Sequence, residues 1–202
     1  MVQVQPIKSL LRVDHYRSSL VMITGLLIFL CCFLTTNAHQ TPKLQEYEAK
    51  ALLLYNFAKS TSWQEGSFKQ KNSPIVVGVV GSLKIFNAFK VYNNKLANGR
   101  PLKFERLEFI TDFKTGHILF ITTEWTASAK LFIENLSQSK KPILTVGESQ
   151  EFVLNGGMIS IVQENNHLAL LTNPNATKNA NLFLNRNLIK LSRQISRQED
   201  NQ

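Results

Sequence analysis

Three almost uninterrupted apolar runs constrain the fold of this chain more than any other feature. The runs are Ile75–Val80, His117–Ile121 and Ile143–Val146. A strand with one face in water alternates apolar and polar residues, whereas a strand covered on both faces stays apolar along its length. The sequence therefore predicts parallel strands that are buried on both sides of a sheet.

Helical patterns precede and separate these runs. Apolar residues recur at intervals of three and four between Leu44 and Ala58, and Leu83–Lys90 and Thr126–Leu136 show two further helical patterns. The alternation of strand and helix predicts a single-domain α/β sandwich, in which a largely parallel sheet carries helices on both faces. In the first helix, four polar residues are expected to face water: Glu48, Lys50, Asn56 and Lys59.

The second half of the chain adds a β-hairpin and another helix. Gly156-Gly157 precede the run Met158–Val162, and after Asn165-Asn166 a second run, His167–Leu171, returns. Asn173-Pro174 pairs a capping residue with a ring that suits the first helical position. A helix is therefore predicted to begin there.

Two stretches are harder to interpret. Within residues 102–110, Leu107 falls out of phase with Leu102, and we expect a bulge or a break in the register. Near the C-terminus, one long helix competes with a short extended piece at residues 182–184 followed by a separate helix capped by Asn185. The residues alone leave these two alternatives open.

The first residues have the pattern of an export signal. Three basic residues precede the uncharged run Leu20–Leu34, and Thr36-Asn37-Ala38 supplies the small residues that a signal peptidase reads. The rival interpretation is an uncleaved anchor, but the run is shorter than the roughly 20 apolar residues that span a bilayer. We therefore predict cleavage after Ala38 and a periplasmic location. The predicted division of the chain is a signal peptide at residues 1–38, a flexible lead at 39–45, the α/β domain at 46–196 and a disordered tail at 197–202.

Cysteine content and charge narrow the possible functions. Both cysteines, Cys31 and Cys32, lie in the predicted leader, so the exported part has no disulfide, thiol nucleophile or zinc–thiolate site. The whole chain has a formal charge of +9, and removal of three basic residues and one acid with the leader leaves +7. The basic residues are scattered rather than arranged in a stripe, which argues against a nucleic-acid partner.

No pattern of residues predicts catalysis. The chain lacks a Gly-x-Ser-x-Gly elbow and a His-Glu-x-x-His pair. His117 and His167 are interpreted as residues at strand ends rather than as catalytic bases. We therefore predict a protein that is not an enzyme and that holds neither a metal nor a cofactor.

A small-molecule site is the main alternative to a protein-binding function. Open α/β sheets bind ligands beyond the carboxyl ends of their strands, and a basic residue there would suit an anionic ligand. Helix capping explains Glu148 and Ser149 equally well. The residues expected at such a site are Gly81, Ser82, Arg100, Gly147, Glu148 and Ser149.

A protein-interaction surface would instead present apolar or aromatic residues to solvent. Two segments qualify, one before the double glycine and one near the C-terminus, although both segments could also belong to the core. The predicted partner-binding residues are Phe152, Val153, Leu154, Leu182, Phe183 and Leu184.

The order of the motifs along nearly the whole exported part resembles that of the YfiR-like family. The resemblance implies a periplasmic α/β protein, often a homodimer. It also implies a short strand near residues 182–184 and a separate last helix. The motifs that carry it are Tyr55–Lys59 with Trp63, Val79–Gly81, Gly99–Pro101, His117–Ile121, Ile143–Val146, Phe152 with Gly156–Ile159, and Asn187–Leu191.

The resemblance also implies a function. The best-known member of the family represses a membrane-bound diguanylate cyclase by binding its periplasmic sensory part. Relatives of that repressor commonly carry a cysteine just before the strand that corresponds to His117–Ile121, but here the residue is Gly116. The sequence therefore predicts an exported repressor of cyclic di-GMP synthesis that does not sense redox state through a thiol of its own.

Overall fold

The computed structural model describes residues 42–165 and 167–195, all of which belong to one compact unit. The predicted signal peptide, residues 39–41 of the lead and the tail lie outside the described residues. The helices are α1 (Pro42–Ser60), α2 (Leu83–Phe89), α3 (Thr126–Ser139), α4 (Gln150–Leu154), α5 (Pro174–Asn179) and α6 (Arg186–Lys190). The strands are β1 (Thr61–Ser62), β2 (Ile75–Val80), β3 (Leu96–Ala97), β4 (Arg100–Leu107), β5 (Ile118–Ile121), β6 (Leu144–Gly147), β7 (Ile159–Glu164), β8 (His167–Thr172), β9 (Phe183–Leu184) and β10 (Arg193–Gln194).

Eight of these strands form one sheet, in the order β10-β8-β7-β6-β5-β2-β4-β3. The five central strands, β7-β6-β5-β2-β4, run parallel to one another. Toward the two sides of the sheet, β3 lies antiparallel to β4 and β8 lies antiparallel to β7. The prediction of a largely parallel sheet with a hairpin in the second half is confirmed.

Each face of the sheet is covered by helices, and each carries its own apolar cluster. The side chains of β2 alternate between the two clusters: Ile75, Val77 and Val79 lie in the one formed with α1 and α2, and Val80 lies in the one formed with α3 and α4. Because both faces are packed, β2 is apolar throughout, as the sequence predicted. No helix within residues 42–165 and 167–195 is long and apolar enough to cross a membrane.

Helix α1 differs from the sequence interpretation at two points. It begins at Pro42, four residues before the predicted start of the domain. Lys50, which was expected to face water, is only 6% exposed, whereas Asn56 and Lys59 are exposed as predicted. The reason for the burial of Lys50 lies in its ion pairs, which are described below.

Strand β4 has no bulge, and that prediction was wrong. It pairs with β2 without interruption from Leu102 opposite Ile75 to Leu107 opposite Val80. Leu102 packs in one apolar cluster and Leu107 packs against the other. Leu102 and Leu107 are out of phase because they lie on opposite faces of a strand that is covered on both sides. The strand ends at Leu107.

The C-terminal part consists of short elements rather than one long helix. Asn173 caps α5 by accepting a hydrogen bond from the Ala176 amide at 3.0 Å, as predicted. Asn181 then adopts a left-handed conformation with φ of 52°, which ends the helical path. Asn185 caps α6, so the extended alternative, with β9 between two helices, is the one observed.

Candidate functional site

The carboxyl ends of the parallel strands form what we call the closed edge, comprising Gly81, Thr122 and Gly147–Ser149. Strand β2 lies between β4 and β5, so the ends of β2 and β5 flank the crevice where such sheets usually bind ligands. A Cβ atom on Gly81 would lie 2.5 Å from Cγ2 of Thr122. The Thr122 side chain therefore fills this crevice, and glycine is needed at position 81 for steric reasons.

A buried ion pair fills the next position along the closed edge. Lys50 Nζ donates to Glu148 Oε1 at 2.7 Å and also pairs with Glu46, and Glu148 Oε2 accepts the Thr123 amide hydrogen at 3.0 Å. Burial acts to lower the pKa of Lys50, but the hydrogen bonds to Glu148 and Glu46, together with the negative charges of these two carboxylates, outweigh it and the pKa is raised. Lys50 is therefore held in its charged form, and both oxygens of Glu148 are engaged within the protein.

The aromatic ring of Phe152 closes the rest of this edge. Ser149 caps α4 by accepting the Phe152 amide hydrogen at 3.2 Å, so its hydroxyl is occupied. A Cβ atom on Gly147 or Gly157 would lie 2.4 or 2.2 Å from the Phe152 ring. These two glycines therefore allow the ring to pack directly against the backbone.

Half of the predicted partner surface is core, and the prediction was wrong for these residues. Phe152 and Val153 are each 1% exposed because α4 packs them against the sheet, and Leu182 is 3% exposed in the opposite cluster. Leu154 is 37% exposed and Phe183 is 67% exposed. Phe183 lies beside a groove of about 530 Å³ that is also lined by Pro174, Thr177, Leu184 and Ile189.

Arg100 does not join the other predicted ligand-binding residues. It begins β4, whereas Gly81 follows the end of β2, and the two strands are parallel, so these residues lie at opposite ends of the sheet. The Arg100 guanidinium donates to the carbonyl oxygens of Gln70 at 3.0 Å and Ser73 at 2.9 Å. The structure thus places the predicted ligand-binding residues in two separate regions.

The amino ends of the strands form what we call the open edge, comprising residues 61–74 with Arg100 and His117. The Phe68 ring is contacted by the Arg100 guanidinium, 3.7 Å from the ring centre, and by the stacked His117 ring, at 4.2 Å between centroids. The Trp63 ring meets Phe68 and His117 edge-on, at 6.1 Å in both cases. Such stacked and edge-on arrangements of aromatic rings are the favourable ones.

Both ring nitrogens of His117 form hydrogen bonds. Nδ1 accepts from the Val76 amide at 3.1 Å, so the proton of the neutral ring lies on Nε2, which donates to the Ser67 carbonyl at 3.1 Å. Burial lowers the pKa of His117, the Ser67 hydrogen bond opposes this change, and the charge of Arg100 adds to it. The net result is a lowered pKa and a neutral imidazole at neutral pH.

Two recesses open at this edge, one on each side of the loop that carries Phe68. The first, of about 500 Å³, is lined in part by Trp63, Asn98 and Arg100. The second, of about 660 Å³, includes His117 and four lysines, Lys69, Lys103, Lys114 and Lys141. Sequence reasoning missed this cluster because its members are far apart in the chain, and only the aromatic content of residues 61–74 offered a signal.

Among the described residues, no group of three histidine, cysteine, aspartate or glutamate side chains is placed to hold a metal ion. Two buried polar atoms near the open edge, Trp63 Nε1 and Ser67 Oγ, have no hydrogen-bond partner within the described part of the chain. At the closed edge, the Glu148 carboxylate and the Ser149 hydroxyl are paired within the protein, whereas the buried Oγ1 of Thr126, four residues after Thr122, has no hydrogen-bond partner among the described residues. The space left for a ligand therefore lies at the open edge, in the two recesses.

Comparison with known proteins places the chain in a family. Its fold is similar to that of a conserved domain protein from Vibrio cholerae O1 biovar eltor, with a TM-score of 0.51 and 12% sequence identity. The match covers 74% of this chain and 60% of the Vibrio chain, so this protein spans less than two thirds of the length of that one, and the likeness shows the fold alone. No curated protein sequence matches this chain at a significant level. A family model described as DUF4154, YfiR/HmsC-like, matches residues 47–193, and the chain therefore belongs to the YfiR/HmsC-like family.

Proposed function

We propose that this protein is an exported regulator that binds the periplasmic part of a membrane signalling protein and represses a diguanylate cyclase. The observation that carries the proposal is the family match over residues 47–193. The family is periplasmic and regulatory rather than catalytic. A regulator of this kind acts through a surface that its partner covers, and the exposed residues of the structure offer one.

Phe183 is the residue that we propose as the centre of the partner surface. Its side chain is 67% exposed although it is aromatic, and it borders the largely apolar groove beside α5 and α6. Exposed aromatic residues beside an apolar groove are typical anchors of protein interfaces. Leu184 is half-buried next to it. Leu154, the other exposed residue expected from the sequence, lies on α4 on the opposite face of the sheet, so it is not part of this surface.

A repression assay tests the proposal. Deletion of the gene from its natural host should raise cellular cyclic di-GMP, and the full chain supplied in trans should lower it again. Phe183→Asp should abolish this complementation by placing a charge in the interface. Leu131→Asp is the matched control, because Leu131 is 72% exposed on α3, on the opposite face of the sheet, and it should complement normally.

The two possible failures have different meanings. Unchanged cyclic di-GMP after deletion would exclude repression of a cyclase. Normal complementation by Phe183→Asp would leave repression in place but move the partner surface elsewhere. Capture of the tagged full chain from solubilised envelope, followed by mass spectrometry, should recover a membrane protein with a cyclase domain with the wild type and with Leu131→Asp, but not with Phe183→Asp.

A second candidate function, binding of a small anionic ligand, is favoured by the recess at the open edge. Four lysines and His117 line this space of about 660 Å³, and in the described part of the chain only one acidic residue, Glu105, lines it with them. Because Glu105 pairs with Lys103 at 2.8 Å, the surroundings are positive overall. A thermal shift with nucleotides or dicarboxylates that is lost in Lys114→Gln would support this function, and the absence of any shift would exclude it for those ligands.

A further inference from the structure

Residues 63–74 connect α1 and β1 to β2 without helix or strand. Two side chains from the sheet hold this segment. Arg100 binds the carbonyls of Gln70 and Ser73, and His117 binds the carbonyl of Ser67 and stacks on Phe68. The segment therefore depends on side-chain contacts for its position.

The orientation of the His117 ring depends on its protonation state. With Nδ1 unprotonated, the ring accepts from the Val76 amide and donates to Ser67 at the same time. A second proton on Nδ1 would face the Val76 N–H directly, so two donors would point at each other and the bond would be lost. The ring therefore cannot accept a proton at Nδ1 without losing the Val76 bond, although Nε2 would still donate to Ser67.

The charges around His117 act in the same direction. Arg100 faces it across the Phe68 stack, and the recess beside it contains Lys69, Lys103, Lys114 and Lys141. Among the described residues, Glu105 is the only acidic one that lines that recess, and it pairs with Lys103 at 2.8 Å. A positive charge on His117 would therefore be surrounded mainly by positive charges.

We infer that His117 is an acid-sensitive latch, which holds residues 61–74 against the amino ends of β2 and β5 when neutral and releases them when protonated at Nδ1. Protonation removes the Val76 hydrogen bond that fixes the ring, and when the ring then turns away, the Ser67 hydrogen bond and the stack on Phe68 are lost with it. It involves no thiol, so it can operate in a chain whose exported part has no cysteine.

The latched segment is connected to the proposed partner surface by backbone hydrogen bonds. Strand β1, at the start of the latched segment, pairs with β9, so that Ser62 lies opposite Phe183 and Thr61 opposite Leu184. The Asn185 amide also donates to the Ser60 carbonyl at 2.7 Å. Release of the segment would loosen the strand that carries Phe183, and this link to partner binding rests on the function proposed above.

The size of the effect follows from linkage. The pKa of His117 is lowered in the closed state from the ordinary value of 6.5, so its stabilising contribution is fully present above 6.5 and is lost as the pH falls below it. If the open state titrates near 6.5, the ratio of open to closed molecules rises by up to about tenfold between about pH 7.5 and about pH 5.5.

Hydrogen exchange measured by mass spectrometry tests the latch. The protein is expressed from the full-length sequence and purified in the form that the cell produces. After correction for intrinsic exchange rates, opening of residues 61–76 should increase up to about tenfold between the two pH values. His117→Asn provides an oxygen for the Val76 amide but does not titrate, so its opening should not change with pH. His167→Asn, at the exposed histidine of β8, is the matched control and should behave as the wild type.

Three outcomes would overturn the inference: equal protection of the wild-type segment at both pH values, the same pH dependence in His117→Asn, or a loss of the dependence in His167→Asn. If His117→Asn does not fold, an NMR titration of the wild-type ring decides instead. Protonation of Nδ1 that leaves the Val76 amide protected would exclude the latch. None of these measurements involves the partner, so their failure would leave the repression assay unaffected.

Discussion

The two ends of the parallel strands differ in how their polar groups are used. At the closed edge, Glu148 binds Lys50 and the Thr123 amide, and the Ser149 hydroxyl caps a helix. At the open edge, Arg100 and His117 form hydrogen bonds with backbone carbonyls of residues 63–74, and two recesses lie beside these contacts. The edge that open α/β sheets normally use for ligands is therefore filled here, and the opposite edge keeps free space.

This difference teaches that a polar residue at a strand end does not by itself mark a binding site. Glu148 has the position and the chemistry of a ligand-binding residue, but a lysine from α1 already satisfies it. A site needs polar groups that the protein leaves accessible, and sequence shows the groups without showing their partners. Three substitutions test the comparison, from the largest expected effect to the smallest.

Phe152→Ala should destabilise the closed edge most. The ring is buried against two glycines, so its removal leaves a cavity that backbone cannot fill, and the free energy of unfolding should fall by about 3–5 kcal/mol. Denaturant unfolding followed by circular dichroism measures this loss. Leu154→Ala, on the same helix but 37% exposed, is the control and should cost clearly less. Equal losses would mean that Phe152 does not close this edge.

Glu148→Gln should lower the free energy of unfolding by about 2–3 kcal/mol, because it leaves the buried Lys50 with Glu46 as its remaining charged partner. The matched variant is Glu105→Gln at the open edge, where the Lys103–Glu105 pair is largely exposed and should contribute less than about 1 kcal/mol. Urea midpoints of the two variants give the comparison directly. If both variants lose the same stability, the ion pair of the closed edge has no special role.

Arg100→Lys should have the smallest effect on global stability, about 1 kcal/mol, because lysine keeps the charge but cannot bind two carbonyls and stack on Phe68 together. Its main effect should be local, as faster hydrogen exchange in residues 67–73. Arg106→Lys, at an exposed position of the same strand, should leave that exchange unchanged. Slow exchange in Arg100→Lys would show that Arg100 does not hold the segment.

Much of the fold could be predicted because the signals are local. The apolar runs identified β2, β5 and β6, and the caps at Asn173 and Asn185 marked where α5 and α6 begin. The phase of β4 was misread because a pattern of alternation cannot distinguish a bulge from a strand packed on both faces. Leu107 is partly buried and packs against the apolar cluster of the second face.

The candidate site was less predictable because it depends on pairs of residues that are distant in the chain. Lys50 was predicted to be exposed on the polar side of α1. It is buried because Glu148, which is distant in the chain, lies next to it and pairs with it. Phe152 was taken as a surface residue because sequence does not show that Gly147 and Gly157 make room for its ring. The stack of Phe68 on His117 had no signal in sequence spacing either.

The pairing of β1 with β9 has a consequence for the order in which the protein folds. It joins the residues directly after the first helix to residues near the C-terminal end of the described chain. Contacts between such distant positions form late, because the intervening chain must first be ordered. The segment that follows α1 therefore reaches its final place only after β9 has been synthesised. A chain that ends before residue 183 would contain every strand of the main sheet except β10, but no strand to hold β1.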